Sequence, residues 1–177
     1  TLTLNRPQAR NAFTFAMYDG VQKLCEEMPT DGSVRVLIIT GAGEKAFAAG
    51  TDMSQFHAFD KAQDALDYEK RVGRVAEAVE KCPVPTIAAI AGACTGGGAG
   101  IASCCDIRIA TEGLKFGFPI ARTLGNTLSM ENFARVKDLI GVAKAKEIIF
   151  TSRLVGAQEA LAAGLVSEVL PDHAALM

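Results

Sequence analysis

The stretch AGACTGGGAG, Ala91 to Gly100, places five glycines among ten residues directly behind the apolar run TIAAI. Gly96-Gly97-Gly98 precedes Ala99–Cys104, which reads as a short buried helix. A helix start exposes unpaired N–H groups and a partial positive charge. Glycine lets a ligand reach those N–H groups with no Cβ in the way. The same glycines would also suit close packing of that helix on its neighbours, and the residues alone leave both readings open. A second glycine-rich loop, Gly41-Ala-Gly43-Glu-Lys-Ala46, follows a buried strand and fits G-x-G-x-x-A. A dinucleotide site needs a helix N-terminus there for the pyrophosphate, and Phe47–Gly50 does not continue as a helix. Gly41 and Gly43 therefore read as a tight turn with glycine at positive φ. The P-loop pattern G-x-x-x-x-G-K-[ST] is absent.

The five cysteines, at 25, 82, 94, 104 and 105, contain no C-x-x-C, and His57 and His173 are the only histidines. This argues against a Cys/His zinc site and for reduced thiols in a cytoplasm-like compartment. No metal and no redox cofactor is implied. The net charge is −2, with no basic run, so nucleic acid is not an expected partner. The longest uncharged stretch, Cys82–Cys105, is broken by Gly, Pro, Thr and Ser and cannot serve as a membrane span. No basic segment followed by an apolar one marks a signal peptide. Thr1 starts inside a strand-like TLTL and the chain stops at Met177 without a closing element, so both ends are expected to be incomplete.

These residues need elements to hold them. TLTL (1–4) reads as a strand and NRP (5–7) as a turn. Thr14 caps a helix from Phe15 to about Met28, with Met17, Val21, Leu24, Cys25 and Met28 on one face. VRVLIIT (34–40) has the β-branched continuity of a strand buried on both faces. GAGEKAFAAG (41–50) reads as a loop. Asp60–Lys81 is amphipathic, its stripe made by Leu66, Val72, Val75, Ala76 and Val79. PTIAAI (85–90) and DIRIAT (106–111) are further strands. Helical patterns follow around 129–139, 143–151 and 157–163, and SEVL (167–170) is a last short strand. Alternating strands and helices over 177 residues predict one α/β domain, 1–177.

Two stretches then carry a resemblance: EKAFAAGTDMSQF (44–56) and IAGACTGGGAGIASCCDIRIAT (90–111). They closely resemble the crotonase superfamily, the enoyl-CoA hydratase/isomerase family. NRPQARNAF (5–13), FGFP (116–119) and LAAGLVSEVL (161–170) fit the same family in the same order. The resemblance implies an α/β spiral of repeated ββα units, normally completed by C-terminal helices and assembled as homotrimers or pairs of trimers. It implies acyl-CoA thioesters as substrates, CoA being part of the substrate and not a separate cofactor. It also implies an oxyanion hole from two backbone amides, which map to Thr51 and Gly97. The 46–51 loop and the segment at Ala9 and Arg10 would contact CoA, with Ala46, Phe47, Ala49 and Asp52 in that set. Arg6, Arg10 and Lys45 are candidate phosphate partners.

The sequence departs from the family at two positions. Hydratases of the family carry one glutamate three residues after the middle glycine, here Gly100, and another after F-G-x-P, here Ile120. Hydration needs groups to activate water and to protonate carbon, which neither residue supplies. The segment IARTLGNTLSMENFARV (120–136) brings Glu131 as a candidate acid/base and Arg122 as a candidate contact for a substrate carboxylate. The expected activity is an acyl-CoA lyase or isomerase reaction of the hydratase/isomerase type. The alternatives are a catalytically silent acyl-CoA binder or assembly subunit, and another reaction of the same hole, such as decarboxylation or thioester hydrolysis.

Overall fold

The computed structural model describes residues 1–177, the side chain of Leu124 excepted. In chain order the elements are β1 (Leu2–Leu4), α1 (Phe15–Glu26), β2 (Leu37–Gly41), β3 (Ala46–Ala49), α2 (Ala62–Glu80), β4 (Thr86–Ile90), β5 (Ala93–Thr95) and α3 (Gly97–Cys104). There follow β6 (Ile107–Thr111), β7 (Lys115–Gly117), α4 (Ile120–Leu124), α5 (Met130–Thr151), β8 (Val155–Gly156), α6 (Ala157–Ala162), β9 (Glu168–Leu170) and α7 (His173–Leu176).

Two sheets divide the strands. One runs β1-β2-β4-β6-β9, parallel throughout; the other runs β3-β5-β7-β8, with β8 antiparallel. The chain visits them alternately: β2 then β3, β4 then β5, β6 then β7. Each pair of strands is followed by helix, so the chain advances as a spiral of ββα turns, as the resemblance implied.

The corner between the sheets explains some of the glycine. Gly92, between β4 and β5, has φ +66°, and a Cβ there would overlap the Lys45 carbonyl. Only glycine allows this sharp turn and close approach together.

Three expectations shift. The loop over 41–50 contains strand β3, because Ala46–Ala49 pairs with β5. The tight turn with glycine at positive φ holds only at Gly43, φ +76°; Gly41 is the last residue of β2, where a Cβ would overlap the Ala46 and Phe47 carbonyls. The strand expected over 34–40 begins only at Leu37, whose N–H bonds to Pro85 O where partner strand β4 begins. Helix faces also differ. α1 buries Tyr18, Val21 and Cys25 and leaves Leu24 exposed; α2 buries Val75, Ala76, Ala78 and Val79 and leaves Leu66 exposed. The first turns of α2 extend past the core, so periodicity there had nothing to bury against. The helices expected over 129–139 and 143–151 are the two halves of α5, bent at Gly141 with φ +75°.

Caps follow the sequence more closely. Thr14 Oγ1 accepts from Met17 N–H at 3.2 Å, and Ser129 Oγ from Asn132 N–H at 3.4 Å. Both satisfy donors that a helix start leaves open.

Candidate active site

The site is assembled at the C-terminal ends of β3 and β5. These strands run parallel with Ala49 beside Thr95, so the next residues, Gly50-Thr51 and Gly96-Gly97, leave side by side. A Cβ at Gly96 would stand 3.3 Å from Gly50 Cα, and one at Gly97 would stand 3.3 Å from Thr51 Oγ1.

The N-terminal segment orients Thr51. Asn11 is buried in the left-handed region at φ +54°. Its Nδ2 donates to Ala42 O and Ala46 O, and its Oδ1 accepts from Arg6 N–H. This clamp holds the 5–13 segment against the β2–β3 corner. Phe13 then forms an isolated parallel bridge with Thr51: Phe13 N–H donates to Gly50 O at 2.8 Å, and Asp52 N–H donates to Phe13 O at 2.8 Å. In a parallel bridge the flanking residues make the bonds, so the Thr51 amide points away from Phe13. It donates to no acceptor among the described residues. The Gly97 amide is likewise undonated, as the first residue of α3, where the helix geometry provides no internal partner.

Beneath them lies a chain of three hydroxyls. Thr51 Oγ1 is 2.8 Å from Tyr18 Oη and 2.7 Å from Tyr68 Oη. Tyr18 is fully buried and stacks on Phe13 with ring centroids 4.5 Å apart. A Cβ on Gly97 would overlap its hydroxyl. Burial raises the pKa of both tyrosines, which keeps their protons in place. Sequence reasoning passed over both tyrosines. Tyr18 lay one step off the apolar stripe assigned to α1, and nothing local ties Tyr68 to Thr51.

A cavity of about 100 Å³ opens at Gly96 and Gly97, between α2 and the start of α5. Gly100, Ile101, Phe118 and Ile120 line one side; Tyr68, Glu69, Val72 and Ala76 line another. Gly100 and Ile120, the positions where the resemblance places glutamates, thus face the same small space. The cavity continues into a wider cleft of about 890 Å³ that shares Glu69, Thr127, Leu128, Ser129 and Asn132 with it.

The remaining candidate residues scatter. Glu131 is exposed in the first turn of α5, where a carboxylate suits the helix dipole; it lines the wide cleft but not the glycine cavity. Arg122 is exposed on α4 and lines neither space. His57 is exposed at the end of the short 3-10 turn Met53–Phe56. Arg6 is committed to Asp52, Nη2 to Oδ2 at 2.8 Å, and to Ala12 O, which leaves it poorly placed as a phosphate partner. The Ser54 hydroxyl first, and Arg6 second, lower the Asp52 carboxyl to about 2. The side chains of Ala46 and Phe47 are buried, so these residues can offer a ligand backbone only. Ala9, Arg10 and Ala49 lie on or near the surface, and Ala49 N–H donates to Arg10 O. Among the described residues no three His, Cys, Asp or Glu side chains cluster as a metal site, and no helix is long and apolar enough to cross a membrane.

The chain is thus an α/β spiral of ββα turns in which the Thr51 and Gly97 amides are left without acceptors and Gly97 lines a small cavity. The chain belongs to the enoyl-CoA hydratase/isomerase family, whose sequence profile matches residues 1–177. It is 38% identical over 175 residues to the short-chain-enoyl-CoA hydratase of Clostridium acetobutylicum, covering 96% of this chain and 64% of that protein. It is 37% identical over 172 residues to the crotonyl-CoA hydratase of Syntrophomonas wolfei, covering 96% and 64%. The crystal structure of an enoyl-CoA hydratase/carnithine racemase from Magnetospirillum magneticum superimposes with a TM-score of 0.91 at 38% identity, over 98% of this chain and 65% of that one. The chain therefore spans about two thirds of the length of these relatives.

Proposed function

We propose that the protein is an acyl-CoA enzyme that stabilises a thioester enolate at the amides of Thr51 and Gly97. One observation carries this reading: both amides lack acceptors and follow the paired ends of β3 and β5, Gly97 lining the cavity and Thr51 standing beside Gly97. A thioester carbonyl gains negative charge as its enolate forms. Two fixed N–H donors favour that charge over the neutral carbonyl, and loss of one such donor typically costs about 3–4 kcal/mol of barrier. The start of α3 adds a favourable field. The exposed cations Arg10 and Lys45, which form no ion pair among the described residues, would serve the CoA phosphates.

The test is incubation with crotonyl-CoA, following loss of the conjugated thioester absorbance, with binding measured in parallel. Gly97→Pro removes the donor, and proline is accepted at a helix's first position. Its ring would meet the Tyr18 hydroxyl, so it is combined with Tyr18→Phe, and Tyr18→Phe alone is the control. The reading expects the acyl-CoA to bind and any turnover to collapse in the double variant only. Absence of acyl-CoA binding would refute it. Binding with no turnover of any acyl thioester would instead favour the silent binder.

A further inference from the structure

We infer that Glu69, on α2, is the group that carries the proton in this site. The inference rests on the oxyanion reading above and adds the reacting carboxylate to it. Glu69 is the one carboxylate among the described residues lining the cavity that contains Gly96, Gly97 and Gly100. It also lines the wider cleft, where the other carboxylates are differently employed. Glu77 is bound to Lys81 at 2.6 Å, and Glu80 to Arg135 at 2.6 Å. Glu131 stands outside the glycine cavity. Glu69 has no ion pair and no hydrogen bond among the described residues.

This placement offers a chemical solution to the missing glutamates. Gly100 and Ile120 bring no titratable group to the cavity, while α2 brings one from the opposite wall. Glu69 is exposed overall; the side that it turns to the cavity loses some solvent, and this and the nearby charge of Glu131 raise its carboxyl above the usual range, which strengthens it as a base. A general base performs best when its pKa approaches the working pH.

The step is a proton transfer to and from carbon. Ionised Glu69 takes a proton from the carbon next to the thioester carbonyl. The C–H electron pair becomes the enolate, whose oxygen is held by the Thr51 and Gly97 amides. The same carboxyl then returns the proton, at the original carbon or at the far end of a conjugated enolate. In the second case a 3-enoyl thioester leaves as a 2-enoyl thioester. Nothing is oxidised, and no water is consumed. One carboxylate is sufficient for this chemistry, whereas hydration would require water activation as well.

The test uses the full 177-residue chain and 3-hexenoyl-CoA in D2O, reading deuterium uptake and double-bond position by mass spectrometry and absorbance. Binding is measured separately. Wild type is expected to exchange and shift the double bond. Glu69→Gln is expected to lose about a hundredfold or more of that rate, with binding changed little. Glu69→Asp, which keeps the acid but shortens its reach, is expected to retain an intermediate rate. If Glu69→Gln keeps the wild-type rate, Glu69 is not the base, although the oxyanion reading survives. If wild type binds the thioester but neither exchanges nor shifts it, the Glu69 assignment also fails. If wild type does not bind it, both readings fall.

Discussion

Phe13 and Thr51 meet in a single parallel β-bridge outside the two sheets, and that bridge aims the Thr51 amide away from Phe13. The direction of a proposed catalytic donor is thus held by a segment nearly forty residues earlier in the chain. Asn11 maintains the arrangement by satisfying two carbonyls of the β2–β3 corner from a left-handed backbone.

Asn11→Ala should therefore weaken both fold and site. The buried Ala46 carbonyl loses its Asn11 partner, at a cost of about 1–3 kcal/mol, and alanine tolerates positive φ less well than asparagine. Urea unfolding should show a lower midpoint. Any acyl-CoA turnover should fall more than the folded fraction does, because the Phe13 bridge loosens. An unchanged midpoint would mean that the clamp is unimportant.

Two glycines in α3 should respond oppositely to alanine. A Cβ at Gly98 would overlap the Ala48 carbonyl, which belongs to the rigid strand β3. Gly98→Ala is expected to cost about 1–3 kcal/mol. A Cβ at Gly100 meets nothing within 4 Å, and alanine is the better helix former by up to about 1 kcal/mol. Gly100→Ala should leave thermal stability unchanged or raised. Equal destabilisation by both would contradict the packing of α3 on β3.

The pH profile should expose the neighbour of Glu69. Facing or near it are Tyr18 on α1; Tyr68, Lys70, Glu77 and Glu80 on α2; and Glu131 and Arg135 on α5. Of the carboxylates, Glu77 and Glu80 are neutralised by cations. Proton abstraction uses ionised Glu69, so the rate should rise with pH through its raised pKa. Glu131→Gln removes one cause of that rise, leaving the larger one, the loss of solvent on its cavity side, in place. The rising limb should move to lower pH. A limb that stays still, or moves upward, would separate the profile from Glu69.

Thiol chemistry should single out Cys82. Cys25, Cys94, Cys104 and Cys105 are buried, while Cys82 is partly accessible. Burial, the largest cause in each case, pushes Cys104 and Cys105 up to about 12, and the thiolate is the reactive form. Brief iodoacetamide treatment of the folded protein, read by peptide mass spectrometry, should label Cys82 alone. All five should react after unfolding. Early labelling of Cys104 or Cys105 would mean that α3 opens readily.

Much of this was legible along the chain. The cap at Thr14, the apolar runs of β2, β4 and β6, and the glycines opening α3 are local signals. They depend on residue type and short-range geometry, and the family resemblance rested on them too. The short strand β3 was not legible, because AFAA gains its extended form only by pairing with β5. Tyr18, Tyr68 and Glu69 were equally silent. Each becomes informative only where α1, α2 and α3 converge on Thr51 and the glycine cavity.

The sequence by itself determined the strand–helix alternation of the first sheet, the Thr14 cap and the glycines that open α3, because periodicity, capping and backbone freedom act over a few residues, whereas the second sheet, β3-β5-β7-β8, was read from the family resemblance alone. Only the tertiary structure decided which backbone donors stand free, which tyrosines touch Thr51 and which carboxylate enters the cavity. Those are relations between residues far apart in the chain, set by how the two sheets and their helices pack.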